Sequence, residues 1–175
     1  MMASANRNAI LFFARFGGSY IVFSLLYSLF LSRYIPAPDP ITWMIGEQLV
    51  GLLQVFSDGI VFLHLSDNKV LVNFNDRDVV SIYEGCNGLI VQALFVSFFI
   101  GIWQWNKKTL YFIIVGMISV YVLNMTRLTA LVFIAQSNES LFYYYHKYVF
   151  TGIMYLSILA MWYFWLVKSK SVVKQ

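Results

Sequence analysis

Only one cysteine, Cys86, occurs in the 175 residues of this chain, so an internal disulfide is excluded. Charge is also scarce. Asp, Glu, Lys and Arg make up 11% of the residues and hydrophobic types 60%, whereas a soluble domain averages about 25% and about 45–50%. A water-facing fold could not hide that much apolar surface. The segment "SRYIPAPDP", which follows the first apolar run, has no small-x-small cleavage site. That run is too long and too aromatic for a signal peptide and reads as a retained helix. No internal repeat or low-complexity tract occurs. The formal net charge of +4 sits at the ends of apolar runs and does not indicate a nucleic-acid partner. No cofactor or metal is expected.

Long apolar runs dominate the rest of the chain. Four are candidate membrane spans: Ile10–Leu31, Asn87–Trp105, Leu110–Ala135 and Val149–Val167. Each is close to the length of about 20 residues that a spanning helix needs. The expected fold is therefore an all-α integral membrane domain over residues 1–175, a four-helix transmembrane bundle with a periplasmic insertion at 32–86. The charges suggest an orientation. Arg7, Arg15, Lys107, Lys108, Lys168, Lys170 and Lys174 lie near the N-terminus, in the second interhelical turn and at the C-terminus. With those three places in the cytoplasm, the short segments obey the positive-inside rule. Arg33, Lys69, Arg77 and Lys147 fall on the other side, mostly in a long loop where the rule is weak. Asp39, Glu47, Asp58, Asp67, Asp76, Asp78, Glu84 and Glu139 all lie opposite the cytoplasmic segments as well. Both termini are thus expected inside, with loops 32–86 and 136–148 outside.

The insertion is too long to be a bare connector. "IPAPDP" makes a stiff, extended exit from the first helix. In "ITWMIGEQLVGLLQVF", Trp43, Ile45 or Gly46, Leu49, Leu52, Leu53 and Phe56 recur at helical spacing, which predicts an amphipathic helix lying on the membrane or on the bundle. Three β-like runs follow, "IVFLHL", "KVLVNFN" and "VVSIY", separated by "SDN" and "DRD" turn signals. They predict a small antiparallel meander leading straight into Cys86.

Helix arithmetic brings three polar side chains to one depth. At about 1.5 Å per residue, Cys86 lies about 30 Å from the Lys107 turn, Arg127 about 28 Å from Lys108, and His146 about 33 Å from Lys168. Each residue has an ordinary structural reading. A lone Cys in a membrane helix is a small buried hydrophobe, a His at a helix mouth is an interfacial polar group, and an Arg near the edge snorkels. His64, within an apolar strand run, is read as structural. Together, however, a thiol, a base and a fixed cation make a nucleophilic constellation. Cys86 would be the nucleophile, His146 would take and return its proton, and Arg127 would supply permanent positive charge. Glu84 opposes thiol ionisation if it faces the sulfur and helps if it holds His146. Gly85 and Gly88 indicate close backbone approach beside the sulfur, or tight helix packing in the case of Gly88.

The motifs "EGCNGLIVQALF" around Cys86, "NMTRLTALVF" around Arg127 and "HKYVFTGIMYLSIL" from His146 occur in this order from about residue 55 onward. In order and spacing the chain resembles the exosortase/archaeosortase family of membrane cysteine transpeptidases, in particular its short exosortase F-like form. The resemblance implies a Cys86–Arg127–His146 site facing the periplasm of a bacterial inner membrane, with Glu84, Asn87 and Asn124 as supporting residues. It implies exported protein substrates that end in a short motif, a membrane helix and a basic tail, cut through an acyl-thioester on Cys86. Asn87 stands where many exosortases have Ser, and Gly152 follows the histidine later than the family pattern has it. Two other readings fit the composition: a non-catalytic membrane assembly or secretion partner, and a thiol-dependent membrane acyltransferase.

Overall fold

The computed structural model describes residues 2–57, 59–66 and 69–173. Asp58, Asp67, the "SDN" turn after Ser66, and Lys174 lie outside the described residues. The described residues are mostly helical, with one small sheet. Helix α1 covers Met2–Leu31, α2 Pro40–Phe56, α3 Leu89–Ile102, α4 Lys107–Ser137, α5 Glu139–Tyr144 and α6 Phe150–Val173. Strands β1 (Val61–Ser66), β2 (Lys69–Phe74) and β3 (Arg77–Ile82) form an antiparallel sheet in sequential order. A 3-10 turn at Glu84–Cys86 precedes α3, and a π-helical turn at Tyr145–Val149 joins α5 to α6.

Among the described residues, three stretches are long and apolar enough to cross a membrane: Asn6–Leu31, Lys107–Ser137 and Ser140–Lys168. The expected fourth span, 87–105, is instead a helix of 14 residues, about 21 Å long and short of the roughly 30 Å hydrocarbon thickness. Its ends are set by backbone geometry. Gly88 takes a left-handed conformation (φ 79°) at the N-terminus, where Asn87 Oδ1 accepts the Leu89 N–H. Trp103 takes another at the C-terminus (φ 57°), its N–H donating to the Phe99 carbonyl. Hydropathy does not register either reversal. Residues 136–148, expected as a loop, continue the helical path through α5 and the π turn. Asn138 supplies the break, its side chain capping Ser140 and Leu141.

Two apolar clusters organise the packing. One joins α2 (Ile45, Leu49, Leu53), the inner face of the sheet (Val70, Val72, Ile82) and the distal half of α4 (Leu128, Val132), and it includes Cys86. The amphipathic α2 therefore packs on the sheet and on α4. Asp39 starts it, accepting the Ile41 and Thr42 N–H groups, with Pro40 at the first helical position. The β2–β3 hairpin turns at Asn75 and Asp76, both at positive φ, one residue before the expected "DRD" signal and in the conformation that suits the twist of a hairpin. The second cluster joins α3 (Phe95, Phe98, Phe99), α4 (Ile113, Val120) and α6 (Met154, Ile158, Trp165), with Phe12 and Phe16 of α1 packed against it. Helix α4, about 46 Å long, passes through both.

Aromatic residues mark the two ends of the helical body. Trp103 and Trp105 are exposed at one end, with Arg15 stacked 4.9 Å over Trp103. Tyr143, Tyr144 and Tyr148 are exposed at the other, with Lys147 among them. Amphipathic rings of this kind gather at membrane–water boundaries.

The α3–α4 contact is tight at Gly116, where a Cβ would stand 2.1 Å from Cζ of the fully buried Phe95. Gly116→Ala is expected to cost about 1–3 kcal/mol by overpacking. Thermal unfolding in detergent should show a lowered Tm, partly restored when Phe95→Leu is added.

Candidate active site

Strand β3 delivers the chain into the Glu84–Cys86 turn, where the Cys86 N–H donates to the Tyr83 carbonyl at 2.7 Å. Cys86 is thus on a 3-10 turn and not on a spanning helix, so the helix count that placed it does not apply. The turn is held from two sides. From α4, Asn124 Nδ2 donates to the Cys86 carbonyl at 2.9 Å. A Cβ on Gly88 would meet that same Asn124 side chain at 3.1 Å, so Gly88 supplies both the positive φ and the close approach. From the other side, Asn87 Nδ2 donates to the Tyr27 hydroxyl of α1 and to Thr42 Oγ1 of α2. The Thr42 hydroxyl donates to the buried Asp39 carboxylate. This polar chain ties α1, the start of α2 and the cysteine turn together. Asn87 is fully engaged in it and so plays a structural part.

Two of the three expected side chains meet, and the third lies on the wall of the same cleft as His146. Cys86 Sγ lies 3.8 Å from His146 Nε2. The π turn aims the imidazole: it adds a residue to that turn, and the Thr151 hydroxyl donates to the His146 carbonyl at 3.1 Å. Phe142 stacks on the ring with centroids 5.6 Å apart and planes 7° off parallel, and the Tyr83 ring meets it obliquely at 6.4 Å. Arg127, 9% exposed, lines the same cleft of about 560 Å³ as His146, Tyr83 and Gly85. Its Nε is buried with no hydrogen-bond partner. An orphaned donor of this kind costs about 1–3 kcal/mol, and here it belongs to a wall of the cleft beside a thiol.

Cys86 is 3% exposed. Burial pushes the Cys86 thiol above its ordinary value. Hydrogen bonding from the Tyr83 backbone, the Arg127 charge and the Tyr83 side chain oppose that, while Glu84 adds to it. The thiol is therefore protonated near neutral pH and needs a base at the moment of reaction. Glu84 is felt at the sulfur and, among the described residues, makes no ion pair with His146. Of its two possible roles, it has the one that works against ionisation. His64 lies on β1 with Nε2 3.4 Å from Asp78 Oδ2, so it has a partner of its own on the sheet.

Sequence reasoning did not find Tyr83, Phe142, or the chain of Asp39, Thr42 and Tyr27. A signal existed for Tyr83, three residues before the cysteine and inside the turn, and for Asp39, an N-cap before Pro40. Phe142 had none. Compared with protein-family models, with curated proteins and with solved structures, the chain matches none of them.

Proposed function

We propose that the protein is a cysteine peptidase/transpeptidase of the exosortase type its motifs resemble, acting on the C-terminal tails of exported proteins. The reading rests on one observation: the Cys86 sulfur faces the His146 imidazole at 3.8 Å, and His146 lines a cleft together with Arg127, whose Nε is buried and unpartnered. In this reading α1, α3 with its flanking turns, α4 and α5–α6 form a four-segment bundle in a bacterial inner membrane. Both termini are cytoplasmic, and the α2–sheet insertion and the cleft face the periplasm.

The chemistry follows from the placement. A substrate whose tail helix stands in the bilayer presents its scissile bond at the depth of the cleft, and fixing that bond at the sulfur is the proximity contribution. His146 Nε2 takes the Cys86 proton as the sulfur bonds to the carbonyl carbon, and Arg127 holds the negative charge that develops on the carbonyl oxygen. Collapse breaks the C–N bond, and His146 passes its proton to the departing amine. The acyl-thioester is then opened by an amine or water, which gives its proton to His146 while the sulfur leaves as thiolate and is reprotonated. Strand β3 is at the edge of the sheet. A groove of about 690 Å³ lined by Arg77, Asp78, Val79, Gln136 and Phe142 runs beside it. An extended segment of substrate pairing with that edge would pass Phe142 on its way to His146.

The adduct on Cys86 tests the proposal. When the protein is co-expressed with an exported protein ending in an apolar helix and a basic tail, mass spectrometry should find a hydroxylamine-sensitive peptide acyl group on Cys86. A fatty acyl group there would make the protein an acyltransferase. A free thiol beside an unprocessed tail, across the candidate substrates of the same genome, would leave a non-catalytic membrane partner.

A further inference from the structure

Given the reading of Cys86 and His146 as a nucleophile–base pair, we propose that Tyr83 is a further residue of the reaction, its ring covering the Cys86 sulfur and its hydroxyl donating a hydrogen bond to the thiolate. The turn geometry is the starting point. Tyr83 is the extended residue that leads into the 3-10 turn, and its carbonyl accepts the N–H of Cys86 three residues on, which ties the two residues together. The ring lies over Gly85, where a Cβ would be 2.5 Å from Tyr83 Cε2. Gly85 is the residue type that leaves room for the ring there. Tyr83 is 49% exposed while Cys86 is 3% exposed, so the ring stands on the solvent side of a buried cysteine. Its edge reaches toward His146, and it lines the cleft with Arg127.

The electrostatics are consistent with a donor that keeps its proton. Burial pushes the Tyr83 phenol above its ordinary value, the neighbouring Cys86 adds to this, and Arg127 opposes it. The phenol therefore holds its proton more tightly than a free tyrosine and is a donor near neutral pH. The groups facing the sulfur are Glu84 on the same turn, Arg127 from α4 and His146 from the π turn, with Lys147 further along the cleft. When His146 takes the thiol proton, the sulfur gains a negative charge and Tyr83 shares its own proton with it without transferring it. A hydrogen bond to an ionised group is stronger than one to a neutral group, so the contact favours the thiolate over the thiol.

Because the chain has one cysteine, alkylation by N-ethylmaleimide reports Cys86 alone, in the full-length protein in detergent and without any substrate. Tyr83→Phe keeps the ring and removes the hydroxyl. Its alkylation midpoint is expected about one pH unit higher than that of the parent chain. Gly85→Ala pushes the ring aside and should speed labelling at high pH several-fold. An unmoved midpoint in Tyr83→Phe overturns the hydrogen bond, and an unchanged rate in Gly85→Ala overturns the cover. The experiment is independent of tail processing. A shifted midpoint in a protein that cuts nothing would remove the peptidase reading and leave the Tyr83 contact standing.

Discussion

Cys86→Ala is expected to abolish tail processing, with a loss of about 10⁴-fold or more, since it removes the nucleophile that His146 faces. The fold should survive the change. Alanine keeps the Cβ of Cys86 in the cluster of Leu49, Ile82 and Leu128, and the hydrogen bonds that hold the turn come from backbone and neighbouring residues: the Cys86 N–H to the Tyr83 carbonyl, and Asn124 to the Cys86 carbonyl. The stability cost is expected at about 1 kcal/mol. Two measurements on the same preparation separate chemistry from folding: the size of the tail-bearing protein in cells, and the Tm of the purified variant. Processing that persists at a tenth of normal or more would rule out the covalent route.

Arg127 carries the second large effect, and its test divides function from stability. Removing a preorganised donor from a developing oxyanion costs about 10²–10³-fold in rate. Arg127→Lys is expected to fall nearly as far as Arg127→Ala, because a point charge does not reproduce a planar fork. Stability should behave differently. The parent side chain is buried with its Nε unpartnered, and replacing such a group with an apolar one of similar length is often neutral or stabilising. Arg127→Met should therefore keep or raise the Tm while processing collapses. A Met variant that unfolds, or a Lys variant with near-normal turnover, would make Arg127 a structural residue.

The particular elements show how far sequence pattern reaches. Helix α2 was legible almost to the residue, 41–56 expected against Pro40–Phe56 observed, because an Asp–Pro start and an apolar stripe at helical period act locally. The three strands were legible from alternation and turn residues, and only the hairpin turn was misplaced. The run at 87–105 was misread because its composition is that of a span. Its length is set by Gly88 and Trp103 in left-handed conformations, and Trp103 is not a residue type that announces one. The meeting of Cys86 with His146 was expected from equal depth on two helices. It occurs although Cys86 is on no helix and His146 lies inside a helical segment, because the sheet and α4 place the turn where the π turn can reach it.

By itself, then, the order of residues determined that the chain is rich in membrane-compatible helix, where its amphipathic helix and strands begin, and which three chemistry-bearing side chains stand near the boundaries of apolar runs. Those properties follow from period, capping and hydropathy, which act over a few residues. Only the tertiary structure decided that the Arg127 Nε is buried without a partner, that the Tyr83 ring lies over Gly85, and that Asn87 is bound into the chain of Tyr27, Thr42 and Asp39. Asn87 meets Tyr27 and Thr42 across 60 and 45 residues of sequence. Pairings over such distances are selected by the packing of whole elements against one another, and local preference has no record of them.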